Sequence, residues 1–117
     1  MSIQEISEVD LLSIVTPIVE KMQTGWDIDN YEQFLEYFTD VMKEVVNKEN
    51  YEQQRNRIFS DLGIHKKLEL ITIHKNPGNT IVIWKLHCEK RELPALLQYT
   101  FIEKDEKILI EGATIDY

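Results

Sequence analysis

LELITIHKNPGNTIVIWKLHCE, residues 68–89, decides the fold. On either side of Asn76-Pro-Gly-Asn79 stand two β-branched, alternating runs, Leu68 to Lys75 and Ile81 to Glu89. A period of two with a Pro-Gly turn between the runs is the signature of a β-hairpin. Two more runs follow, Leu96 to Glu103 and Ile108 to Tyr117, joined by the charged turn Lys104-Asp-Glu-Lys107. Lys90-Arg-Glu-Leu-Pro94 separates the two pairs. Short connections favour pairing of consecutive strands, so the second half of the chain reads as a four-stranded antiparallel meander.

Upstream of Gly63 the period changes to that of a helix. Leu11, Ile14, Val15, Ile18 and Met22 form an apolar stripe from about Ser7 to Thr24. Ser7 and Asp10 stand at cap spacing, Gly25 stands where a helix ends, and Pro17 predicts a bend without a change of phase. A second helix is expected from Asp29, with Tyr31, Phe34, Leu35, Phe38, Val41, Met42 and Val45 on one face. A third begins near Asn47 or Asn50 and carries Tyr51, Ile58, Phe59 and Leu62, with a polar middle that places it at the surface. Three N-terminal helices packed on a four-stranded antiparallel sheet make an α+β domain, one unit over residues 1–117.

The hairpin register assigns the faces. Centring the turn on Pro77-Gly78 sets Ile73 opposite Val82 and Ile71 opposite Trp84. Extending the ladder sets Trp84 opposite Phe101, Leu86 opposite Tyr99 and Cys88 opposite Leu97. One face is then almost wholly apolar and packs on the helices. The other mixes Leu70, Ile81, Ile83 and Ile102 with Thr72, His74, Lys85, His87, Gln98 and Thr100.

Composition narrows the function classes. The 117 residues carry a net charge of −8, and residues 1–62 hold all of it, with 13 acids against 5 bases. Such a surface repels phosphate backbones, so nucleic-acid binding is not expected. The longest uncharged run, Leu11 to Val19, is far shorter than the ~20 apolar residues of a membrane span. The acidic opening Met1 to Asp10 has no basic region of an export signal, which predicts a cytoplasmic protein. A lone Cys88 makes no internal disulfide, and three histidines without Cys or carboxylate at ligand spacing predict neither metal nor cofactor.

The order of elements resembles the nuclear transport factor two-like superfamily, also called ketosteroid isomerase-like or cystatin-like. The likeness rests on Gly25-Trp26-Asp27 after the first helix, Tyr31 to Phe38, and Phe59-Ser-Asp-Leu-Gly63 leading into strands. Val82-Ile-Trp-Lys85 and the closing Lys107-Ile-Leu-Ile110 complete it. The resemblance implies a curved sheet wrapping the helices into a cone, a pocket inside, and commonly a homodimer through the outer sheet face. It does not imply an activity. Enzymes of this kind place an Asp or a His–Asp pair inside the cone, and in an isomerase-like member a carboxylate follows the second helix. Here that stretch is Glu44-Val-Val-Asn-Lys-Glu49, which has a helical pattern and departs from the isomerase arrangement.

Trp26, Phe38, Trp84, Cys88 and Tyr99 are therefore the expected lining of a small apolar pocket. Asp40 and Tyr99 are weak catalytic candidates, as acid/base and hydrogen-bond donor. His65, first residue after the Gly63 turn region, is expected in solvent. Thr72, His74, Ile81, Ile83, His87, Gln98 and Thr100 form the expected interface of a homodimer, because a monomer seldom leaves such an apolar patch bare. The reading favours a non-catalytic association domain with a possible small apolar ligand. The alternative is an isomerase, dehydratase or hydrolase acting on a small hydrophobic substrate.

Overall fold

A computed structural model describes residues 3–117; Met1 and Ser2, which open the stretch read for an export signal, lie outside them. The first helix, α1 (Glu8–Asp27), starts where the Ser7 hydroxyl accepts the Asp10 N–H. Its stripe of Leu11, Val15, Val19 and Met22 is buried to 1% exposure or less. Each such side chain contributes roughly 1.5–3 kcal/mol. Pro17 sits on the exposed side, where water can solvate the Ser13 carbonyl that it leaves unbonded, and the helix runs through it.

Gly25 does not end α1. It lies inside the helix because α2 (Tyr31–Leu35) crosses there: a Cβ at this position would meet the Phe34 nitrogen at 2.9 Å. The helix stops two residues later, and Asn30, rather than Asp29, caps α2 by accepting the Gln33 N–H.

The expected second helix is two. Tyr37, Phe38 and Thr39 pair in parallel with the last strand: Ile110 N–H donates to the Tyr37 carbonyl at 2.7 Å, and Thr39 N–H to the Ile110 carbonyl at 3.0 Å. Thr39 then caps α3 (Asp40–Val45) through the Met42 N–H. A backbone that must reach the sheet edge at Phe38 cannot also continue a helix, so the apolar periodicity spans a break it does not reveal. Asn47 caps α4 (Lys48–Leu62), which buries Tyr51, Ile58 and Leu62 along one edge. Gly63, at φ 72°, turns the chain into the sheet.

Strands β1 (His65–Lys75), β2 (Thr80–Cys88), β3 (Ala95–Lys104) and β4 (Lys107–Asp116) form one antiparallel sheet in the order β1-β2-β3-β4. This is the α+β arrangement read from the sequence. Ile73 pairs with Val82 as expected, but a bulge at Ile71 shifts the ladder, and Leu70 faces Trp84 in its place. Leu70 is thus the ladder partner of Trp84, but beside the bulge neither Leu70 nor Ile71 is packed into the core, and both are exposed, at 42% and 44%. Between β2 and β3 the true pairs are Trp84 with Leu97 and Leu86 with Ala95. The expected register is wrong by four residues, yet an even slip leaves every side chain on its face. Val82, Trp84, Leu86, Leu97, Tyr99 and Phe101 are all buried against the helices.

Candidate functional site

A cavity of about 100 Å³ lies between the helices and the inner face of the sheet. Helix α1 contributes Met22, Gln23 and Trp26 to its wall, and β3 contributes Leu97 and Tyr99. Gln54 and Thr114 are the exposed members of its lining and mark the rim.

One polar pair is buried in this wall. Gln23, 6% exposed, donates its side-chain N–H to the Tyr99 hydroxyl at 2.7 Å. Burial pushes the Tyr99 phenol well above its ordinary pKa, so it keeps its proton at any physiological pH. Having accepted from Gln23, the hydroxyl still has that proton to donate.

A second group lies where α1 meets the start of β1. His65 Nδ1 donates to Asp27 Oδ2 at 2.6 Å, and His65 Nε2 donates to Glu20 Oε2 at 2.9 Å. Asp27 Oδ1 also accepts the His65 backbone N–H at 3.3 Å. Two ring nitrogens that both face carboxylates both carry protons, so this geometry is that of an imidazolium. The Asp27 hydrogen bond raises the His65 pKa against the opposing effect of burial, and Glu20 adds to the rise. Arg55 supports the corner from α4, donating to the carbonyls of Trp26 at 2.7 Å and Asp27 at 3.0 Å and so completing the end of α1.

Of the expected lining residues, Trp26, Phe38, Cys88 and Tyr99 face this cavity. Trp84 does not. It is packed behind the wall, its ring centroid 5.9 Å from Tyr99 and 6.4 Å from Phe101. Cys88 is buried, and its thiol is pushed up to about 11 by loss of solvation, which makes it a poor nucleophile. Asp40 is not brought to Tyr99. It is exposed in the first turn of α3 and borders a separate groove beside Tyr37, Lys43 and the β3–β4 turn.

His65 is not in solvent, as the sequence suggested, but 11% exposed between its two carboxylates. Reading α1 only to Thr24 concealed this arrangement, because Asp27 then fell outside the helix. With three more residues, Glu20 and Asp27 stand two turns apart on one face. Gln23, a polar residue in phase with Val19, Met22 and Trp26, was the sequence signal for a buried polar site.

The residues expected at an interface share one sheet face. The ladders align His74, Ile81 and Thr100 in one row, and Thr72, Ile83 and Gln98 in the next. His87 lies beside Lys67, with its Nε2 2.8 Å from Glu69 Oε1. Leu70, expected on the same mixed face, instead pairs with Trp84 because of the bulge at Ile71. Among the described residues no group of three or more His, Cys, Asp or Glu is placed to hold a metal ion, and no helix is long and apolar enough to cross a membrane.

No family model matches the chain, and no curated protein does. A solved structure does resemble it. The crystal structure of a DUF4783 family protein from Bacteroides uniformis superposes with a TM-score of 0.53 at 16% identity, covering 83% of this chain and 94% of that one. At that identity the likeness establishes the fold alone.

Proposed function

We propose that this chain is a non-catalytic domain of the nuclear transport factor two-like kind that binds a small, mainly apolar molecule and pairs with a second copy through its sheet. The observation that carries the ligand reading is the cavity wall itself. Inside the rim residues Gln54 and Thr114 it is mainly apolar: the Tyr51 hydroxyl is spent on Asp29, both nitrogens of His65 face carboxylates, and the Tyr99–Gln23 pair is the polar group with a proton left to offer. A ligand there gains from apolar burial and from one hydrogen bond, accepted from the Tyr99 hydroxyl. Pairing of two sheets would cover Ile81, Ile83 and Ile102.

Native mass spectrometry of the protein as purified tests both halves. A dimer carrying an extra mass supports them together, and a clean monomer removes the association half. Thermal unfolding with indole, a compact apolar probe, tests the cavity. The expected result is a rise in Tm that Tyr99→Trp, which fills the space, abolishes. No rise in the unmodified protein overturns the ligand reading.

A second reading has its own observation: Asp27, His65 and Tyr99 line one cavity, so a carboxylate shares it with the Tyr99 phenol although Asp40 does not. That combination suits proton abstraction next to a carbonyl, with Asp27 as base and Tyr99 as donor to the oxygen. Deuterium uptake from D2O into cyclohexanone, faster with the native protein than with Asp27→Asn, would establish it. Equal rates leave the binding reading in place.

A further inference from the structure

His65 ties together the two elements that close one side of the cavity. Met22, Gln23, Trp26 and Asp27 reach the wall from α1, and Gly63 and His65 reach it from the turn and first residue of β1. Across the seam between them the imidazole is held at 2.6 Å by Asp27 and at 2.9 Å by Glu20. The two contacts are not equivalent. Asp27 is 12% exposed and also accepts the backbone N–H of His65, whereas Glu20 is 43% exposed and makes the single contact to Nε2.

We propose that the Glu20–His65–Asp27 bridge is a proton-operated staple on the cavity: closed while the imidazole carries both protons, and opened on the Glu20 side when it carries one. A neutral imidazole has one N–H, which can serve only one of two carboxylates. The other nitrogen then turns a lone pair toward a carboxylate oxygen. Asp27 retains its partner, since the backbone N–H holds it in place, and Glu20 swings into water. Nε2 is left as an acceptor, and the start of β1 loses one of its ties to α1. This regulation rests on the cavity being the binding site proposed above.

The surrounding charges favour this order of events. Cys88, the partner of His65 in the ladder, is a neutral thiol, and Glu89 is occupied with the Ile64 N–H at 3.1 Å. Arg55 is committed to the end of α1, and Arg91 faces Asp61 at 3.3 Å. Lys66 and Lys67, next in β1, are exposed. Among the described residues, His65 is the ion-pair partner found for both Glu20 and Asp27. The His65 pKa is raised above its ordinary value, first by the Asp27 hydrogen bond, which moves the transition in the same upward direction.

Two readouts on the full chain test this. Carbon-detected titration of the His65 ring reports its midpoint, and amide hydrogen exchange of residues 64–67, corrected for the intrinsic effect of pH, reports the seam. The expected result is a midpoint above 6.5 and a loss of protection of about tenfold across that midpoint, with β2 and β3 unchanged. Glu20→Gln, a change at an exposed side chain, should abolish the step while leaving the fold intact. A midpoint at or below 6.5, protection that does not follow the titration, or the same step in Glu20→Gln each overturns the staple. Indole binding measured below and above the midpoint adds the link to the cavity: a changed affinity supports control of the site, and an unchanged one overturns it. Absence of indole binding at every pH rejects both the ligand reading and control of the site, and exchange then shows whether the seam itself opens.

Discussion

A neutral histidine in water titrates near 6.5, and the two carboxylates around His65 move that value upward. The direction decides how stability depends on pH. A group whose folded pKa is raised stabilises the fold fully below the unfolded value, and the contribution disappears as pH rises through the folded value. Urea unfolding should therefore give a lower free energy at pH 9 than at pH 6, by about 1 kcal/mol beyond the change seen in Glu20→Gln. At pH 6 Asp27→Asn should cost about 1.5–3 kcal/mol, as expected for a well-buried hydrogen bond to charge. Glu20→Gln should cost under about 1 kcal/mol, because its carboxylate is largely solvated. An equal cost for the two would contradict the asymmetry of the bridge. This corner was only half legible in the sequence. Tyr99 could be placed on an inner strand face from alternation, but a bond to Gln23, 76 residues away along the chain, has no local signature.

Helices and strands were read with more success than their ends. Capping by Ser7 and Asn47 follows from side chains that bond the backbone three residues on, a signal contained in a few letters. Gly25 shows the opposite case. Alone it reads as a helix stop, and its actual role, admitting the backbone of α2, depends on a segment that arrives later in the chain. Substitution by alanine tests this. Helix propensity alone predicts a gain of about 1 kcal/mol. Contact of the new methyl with the Phe34 nitrogen at 2.9 Å and Gln33 Cβ at 3.1 Å predicts a net loss, about 1–2 kcal/mol after that gain. Chemical denaturation decides by the sign alone. The break after α2 was illegible for a similar reason: the Tyr37 carbonyl and the Thr39 N–H bond to the backbone of Ile110, a partner some seventy residues further along the chain.

For the molecule as a whole, the even register slip explains why the faces of β2 and β3 came out right while their pairings did not, whereas the bulge at Ile71 upset the expected faces in β1. The outer face keeps Ile81 and Ile83 in rows with His74, Thr72, Gln98 and Thr100, a mixture suited to contact that forms and breaks in water. If that face joins two copies, Ile83→Lys should give a folded monomer by light scattering coupled to size exclusion, through charge repulsion at the twofold axis. A dimer that survives the change would place the interface elsewhere. The acidic balance of residues 1–62 belongs largely to the helices, so the sheet side is the more nearly neutral of the two and the less repelled by its copy.

The parallel bridge between Phe38 and Ile110 also has a consequence in time. Both β1–β2 and β3–β4 close through short turns, and α2 packs on the helix just before it, so most of the native pairings join near neighbours along the chain. The bridge instead joins the helical half to the last strand, a contact whose loop-closure cost is met only after both halves exist. Contacts made that late are absent from the rate-limiting state, and weakening them speeds unfolding while leaving folding nearly unchanged. Phe38→Leu should accordingly steepen the loss of native protein in stopped-flow unfolding and leave the refolding arm of the chevron in place. A slowed refolding arm would mean the two halves meet early. The joint at Phe38 then governs how long the native state lasts, and the local turns govern how soon it is reached.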